Sequence, residues 1–200
     1  MSRSRSPVHD VALVAVFAAL IAALALAPAV PIGVGVPITL QTLGVALAGA
    51  VLGPWRGGLA CLLYQAVGFA GLPVFAGGAA GLGVLAQPSA GYLLAFPLAA
   101  VVVGGSARVV LKRSRRWRPA KLTLAALTGS ILVIHPAGVV GIALNAHLAW
   151  PQAMLADLVY WPGDLIKSSL VGFVAAAVHR AFPALLSLVP VRPAPQLALD

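Results

Sequence analysis

Glu is absent from this chain, and its four acids are Asp10, Asp157, Asp164 and Asp200. Asp164 stands three residues before Lys167, a spacing that puts both side chains on one face of a helix. Pro162-Gly163 just before them suits a helix start, where a carboxylate also meets the positive end of the helix dipole. Ser168 adds a hydroxyl on the same face. The run that follows is apolar, so the pair sits at the edge of a membrane segment, where an ionisable side chain marks a functional site. The alternative is a self-satisfied ion pair that caps its helix and touches no ligand.

Further polar groups fall at comparable depth on neighbouring apolar segments: Thr39, Gln41 and Thr42, then Ser89 and Tyr92, then Asn145 and His147. Between two of these segments, residues 71–91 hold six glycines, Pro73, Pro88 and Phe75, and no charge. A solvated linker would not have this composition. The stretch reads as a cover folded back onto the protein, with glycines such as Gly78 and Gly81 allowing backbone to approach a ligand; the alternative is merely a compact loop. Asp164, Lys167, Gln41, Tyr92, Phe75, Gly78, Gly81 and Ser89 are therefore the candidate ligand-binding residues.

The elements that must carry them follow from composition. The chain has 200 residues, 61% of them hydrophobic and 8% charged, with a mean hydropathy of +1.02. A soluble domain carries about 25% charged residues. An all-α integral membrane protein is expected, one domain over 1–200, with about six spans at roughly 10–28, 38–53, 57–71, 91–111, 122–147 and 163–186. The first apolar stretch exceeds the ~7–15 residues of a signal-peptide core, so it is expected to stay as a span.

Thirteen Lys and Arg against four acids leave a formal charge of +9. All of these basic residues except Lys167 fall on one side if both termini are cytoplasmic: Arg3, Arg5, Arg56, Arg108, the group from Lys112 to Lys121, Arg180 and Arg192. The positive-inside rule predicts that pattern, and it places the polar cluster and the loop at 71–91 on the outer face. The Lys112 to Lys121 loop, which includes Arg115 and Trp117, then reads as a topological anchor facing anionic lipid rather than a nucleic-acid site.

Other chemistry is missing from the sequence. No G-x-x-x-x-G-K-[ST], H-E-x-x-H, G-x-S-x-G or C-x-x-C occurs, so ATP use would belong to a partner and no metal or cofactor is expected. The run from Gly81 to Ala86 matches a dinucleotide fingerprint only by chance, because it lacks the βαβ context. Cys61 is the single cysteine, which leaves no disulfide framework. His135 lies mid-span with no carboxylate in its own span, and is expected to be a packing residue. An intramembrane protease would need a second acid near Asp164; Asp157 is the candidate, and it is expected in a loop. Ala15, Ala19 and Ala23, spaced by four, form a smooth face suited to docking another membrane subunit.

Val36-Pro37-Ile38-Thr39-Leu40-Gln41-Thr42-Leu43, Gly71-Leu72-Pro73-Val74-Phe75-Ala76-Gly77-Gly78, Gly91-Tyr92-Leu93-Leu94 and Pro162-Gly163-Asp164-Leu165-Ile166-Lys167 together resemble the biotin-specific substrate-binding subunits, BioY type, of energy-coupling-factor transporters. The resemblance implies a six-helix subunit that captures biotin from outside in a loop-covered pocket. It also implies a coupling membrane subunit and two ATPase subunits as partners in the plasma membrane, although some members of that family work at least partly without them. The face of Ala15, Ala19 and Ala23 is similar to the docking surface of such subunits. Gln87-Pro88-Ser89-Ala90 departs from the family's usual Gly-Pro-Thr-Gly run but keeps a hydroxyl at Ser89. Biotin's anionic tail, apolar rings and ureido group match Lys167, Asp164, Gln41 and Tyr92 in either orientation. A binding subunit for thiamine or riboflavin is the alternative within transport.

Overall fold

The computed structural model describes residues 7–31, 35–113, 116 and 118–185. Arg3, Arg5, Arg115, Trp117, Arg192 and the last residue of the expected sixth span lie outside the described residues. The helices are α1 (Pro7–Leu26), α2 (Gln41–Leu52), α3 (Pro54–Phe69), α4 (Ala90–Arg113), α5 (Arg118–Gly129), α6 (His135–Asn145), α7 (Trp150–Leu158) and α8 (Trp161–Ala181). A π-helical turn, Ser130–Ile134, joins α5 to α6 without a break. Among the described residues the extended pairing is a single isolated bridge, Val30 with Ile38, so the fold is all-helical.

Among the described residues, three helical stretches are long and apolar enough to cross a membrane: Pro7–Leu26, Ala90–Arg113 and Arg118–Asn145. This is a helical membrane protein. With its twelve residues, α2 is about 18 Å long at ~1.5 Å per residue, shorter than the ~30 Å hydrocarbon core. Proline lies in the first two positions of α3, α6, α7 and α8, where its missing N–H costs nothing because that donor has no intrahelical partner.

The helices pack closely because small residues occupy the crossings. A Cβ on Gly49 would come 2.4 Å from Ala100 O, and one on Gly91 would come 1.9 Å from Ala137 O, so α2 and α6 each touch α4 backbone to backbone. Gly49 thus serves packing within the bundle. In α1, Ile21 and Ala25 are fully buried, whereas Ala15, Ala19 and Ala23 are exposed, together with Val8, Val11, Val16 and Leu26.

The bundle has two chemically distinct ends. At one, Asp10 pairs with Arg56 at 2.7 Å, the Arg108 guanidinium lies against Gly53, and His179 bonds Ala50 O at 2.9 Å. The other end gathers the bridge at Val30 and Ile38, the segment 70–89, and α7. One element there departs from expectation: Asp157 is not in a loop but is buried on the nine-residue helix α7. That helix follows a break at 146–149 and packs against α6, burying Ala153 and Asp157 while Trp150, Met154, Leu155 and Leu158 stay exposed.

Candidate ligand-binding site

The Asp164 and Lys167 pair forms as their spacing predicts. Asp164 lies in the first turn of α8, and Lys167 Nζ is 2.5 Å from Asp164 Oδ1. Nζ also donates to Thr42 Oγ1 at 2.7 Å and to Thr39 O at 3.3 Å, which ties α8 to the start of α2. The second carboxylate oxygen of Asp164 accepts from Ser130 Oγ at 2.9 Å and lies 3.4 Å from His135 Nε2. Residues 130 and 135 would be about 1.4 turns apart on a regular α-helix. The π turn, closed by His135 N–H to Ser130 O, brings both onto the side that faces α8.

The pair faces a cavity of about 80 Å³. Gln41, Tyr92, Phe75, Ser89, Asp164 and Lys167 all line it, with Thr39, Thr42 and Tyr160 adding polar groups and Val36, Val84, Leu93 and Phe96 among the apolar ones. Phe75 is 3% exposed. Its ring lies on Gly68, where a Cβ would come within 2.2 Å, and it packs edge-on to Tyr64 at 5.4 Å. The cover is pinned by Gly81 N–H to Gly68 O at 2.8 Å and by Asn145 Nδ2, which donates to Leu85 O and Gln87 O at 2.9 and 2.7 Å.

Two expected site residues take other roles. Gly78 and Gly81 do not line the cavity; their φ values of +77° and +72° turn the covering segment through conformations that other residues avoid. Asn145 is a tether for that segment rather than a wall residue, and His147 is likewise absent from the lining. Ser168 is buried and faces a smaller void shared with Asp164.

Behind the cavity wall lies a network that sequence reasoning missed. The Tyr92 hydroxyl donates to Asp157 Oδ1 at 2.6 Å, Trp161 Nε1 donates to Asp157 Oδ2 at 2.9 Å, and His135 Nδ1 is 2.9 Å from Asp157 Oδ1. His135 thus stands between the two carboxylates and stacks on Trp161 at 4.9 Å. With no carboxylate in its own span it is expected to be a packing residue, yet it has two acidic partners, both from elements that follow that span. Burial pushes the Asp157 carboxyl up, but hydrogen bonds from His135, Tyr92 and Trp161 outweigh it and hold the group below the usual carboxylate range. The Tyr92 ring fits here because Gly138 has no Cβ, which would stand 2.2 Å from it. Among the described residues, no group of three or more His, Cys, Asp and Glu is placed to hold a metal ion.

The fold and site define a class: a helical membrane protein with a covered, small-molecule cavity whose apolar walls carry one ion pair and several hydrogen-bonding groups. Comparison with known proteins narrows this. The BioY family model matches residues 1–184. The chain is 44% identical over 190 residues to the biotin transporter BioY of Rhodobacter capsulatus, covering 89% of this chain and 97% of that protein. It is 36% identical to the biotin transporter BioY of Rhizobium etli, covering 88% and 96%. A crystal structure of the S-component for biotin from an ECF-type ABC transporter superposes with a TM-score of 0.82 at 26% identity, covering 90% of this chain and 95% of that one. The chain belongs to the BioY family.

Proposed function

We propose that this chain is the biotin-binding subunit of an ECF-type uptake transporter, capturing biotin at the outer face of the plasma membrane for delivery inward. The observation that carries the reading is the Asp164 and Lys167 pair facing a covered and otherwise largely apolar cavity. Biotin presents an anionic tail, an apolar bicycle and a ureido group, and such a cavity offers a partner to each. Relatives named as biotin transporters over nearly their whole length support the substrate.

The topology is six spans, made by α1, α2, α3, α4, the continuous α5 and α6, and α8, with α7 as a connecting helix at the outer end. Both termini are cytoplasmic. The basic residues Arg56 and Arg108 lie at the end of the bundle opposite the cavity, which supports that orientation through the positive-inside rule. With no P-loop in the sequence, ATP would be hydrolysed by two ATPase subunits acting through a coupling membrane subunit. The exposed face of Ala15, Ala19 and Ala23 is the docking surface for that coupling subunit.

The test is equilibrium binding of labelled biotin to the purified chain alone, with desthiobiotin, lipoate and thiamine as competitors. Saturable binding that biotin displaces and thiamine does not is the expected result. A folded sample that binds no biotin would refute the assignment.

A further inference from the structure

Two hydroxyls on the cavity wall, those of Tyr92 and Tyr160, have their protons committed behind it. Tyr92 donates its only O–H to Asp157 Oδ1 at 2.6 Å, and Tyr160 donates its own to Val36 O at 2.7 Å. Tyr64 donates to Val74 O at 3.2 Å, so its oxygen is left to accept from Gln41 Nε2. That chain orients the Gln41 amide, and among the described residues no donor takes its Oε1. What the cavity meets at Tyr92 and Tyr160 is therefore lone pairs, while Gln41 presents its Oε1 together with a second amide N–H. The ammonium of Lys167 has its three N–H groups on Asp164, Thr42 and Thr39. Among the described residues Thr39, Gln41, Gln87 and Ser89 keep uncommitted donors on the lining, so acceptance is local to Tyr92 and Tyr160 rather than general to the wall.

Of the three backing acceptors, two are main-chain carbonyls and one is a side chain. Asp157 is buried at 3% exposure and does not line the cavity. It accepts from Trp161 as well as Tyr92 and lies against His135, which locks its orientation. We infer that Asp157 is a positioning residue that determines specificity: by holding the Tyr92 proton away from the cavity, it makes the Tyr92 oxygen an obligate acceptor that selects ligands presenting an N–H at that point. The inference rests on the biotin reading, since biotin's ureido ring carries two such N–H groups.

An isosteric ligand pair reads this polarity. In a cyclic-carbamate analogue of biotin, oxygen replaces one ureido N–H, so that a lone pair replaces a donor at nearly unchanged shape. Wild-type protein should bind at least one of the two carbamate regioisomers about tenfold or more weakly than biotin, because an acceptor then faces an acceptor. Tyr92→Phe should bring that discrimination to within about threefold. Asp157→Leu should do the same by letting the Tyr92 hydroxyl turn inward, and adding it to Tyr92→Phe should change the ratio no further. A merely structural role for Asp157 would weaken biotin and carbamate alike and leave the ratio untouched.

Equal binding of biotin and both carbamates by wild-type protein overturns the inference, as does an additive double variant. Should Asp157→Leu not fold, Tyr92→Phe still decides, because it leaves Asp157 its contacts to His135 and Trp161; an unchanged ratio there overturns the inference too. Wild-type protein that binds no biotin at all would instead refute the function proposed above.

Discussion

Lys167→Met is the perturbation whose effect can be worked furthest from the geometry. The ammonium is 14% exposed and lies 2.5 Å from a carboxylate that is 7% exposed. A ligand anion or carbonyl takes the ammonium N–H that otherwise makes the long 3.3 Å contact to Thr39 O, so deleting the ammonium removes one buried charge-assisted hydrogen bond to the ligand, a contact of about 1.5–3 kcal/mol. At ~1.4 kcal/mol per decade that is roughly a 10- to 150-fold rise in Kd for biotin. It also strands Asp164. Breaking a buried pair from one side costs about 3–5 kcal/mol, and the low end applies here because Thr42, Ser130 and His135 remain around the carboxylate. The double variant Asp164→Asn/Lys167→Met has no stranded charge and should recover most of the lost stability, since a neutral replacement for a buried ion pair is often tolerated. It should stay defective in binding. Labelled-biotin titration beside thermal unfolding of the same detergent-purified samples separates the two effects. A monodisperse Lys167→Met protein that binds biotin within about twofold of wild type would refute the reasoning.

Other outcomes follow from the same contacts. Phe75→Ala removes the ring seated on Gly68 and Tyr64; a loss of about 3–5 kcal/mol falls on the cover, so bound biotin should dissociate at least tenfold faster in a chase experiment and residues 71–89 should be cleaved sooner by protease. Ala19→Trp adds bulk to an exposed face remote from the cavity; biotin binding should be unchanged while co-purification with the coupling subunit is lost. For Asp157 the folded pKa is depressed, so its contribution to stability is present above the unfolded value of ~3.9 and is lost as pH falls through the lower folded value. The stability difference between wild type and Asp157→Asn should therefore hold from pH 8 to about 5 and narrow only below about pH 4.

Legibility in the sequence tracked the range of the interaction. Spans 10–28 and 91–111 correspond to α1 and α4, because a long apolar run permits few alternatives in a membrane. The reading of 71–91 as a cover rather than a linker was sound, yet it assigned Gly78 and Gly81 to the ligand when their backbone turns the cover instead. The connection after residue 147 reads as a loop in the sequence because the nine residues of α7 form no recognisable span. Asp157 was thereby separated from the site it backs, and His135 was judged by its own span alone. The dipeptide Trp161-Pro162, four residues beyond Asp157, was the available hint, since an indole N–H at i+4 reaches the carboxylate once the chain turns there.

The sequence by itself determined that this is a helical membrane protein, since its charge is too scarce to cover a water-facing surface, and that Asp164 and Lys167 share a helix face, since that needs only the helical repeat. Only the tertiary structure decided that His135 lies between two carboxylates and that Tyr92 faces the cavity as an acceptor. The direction of a buried hydrogen bond depends on which distant segments are brought together, and the partners here come from α4, α6, α7 and α8. No local pattern encodes that meeting, because it is set by how the helices pack.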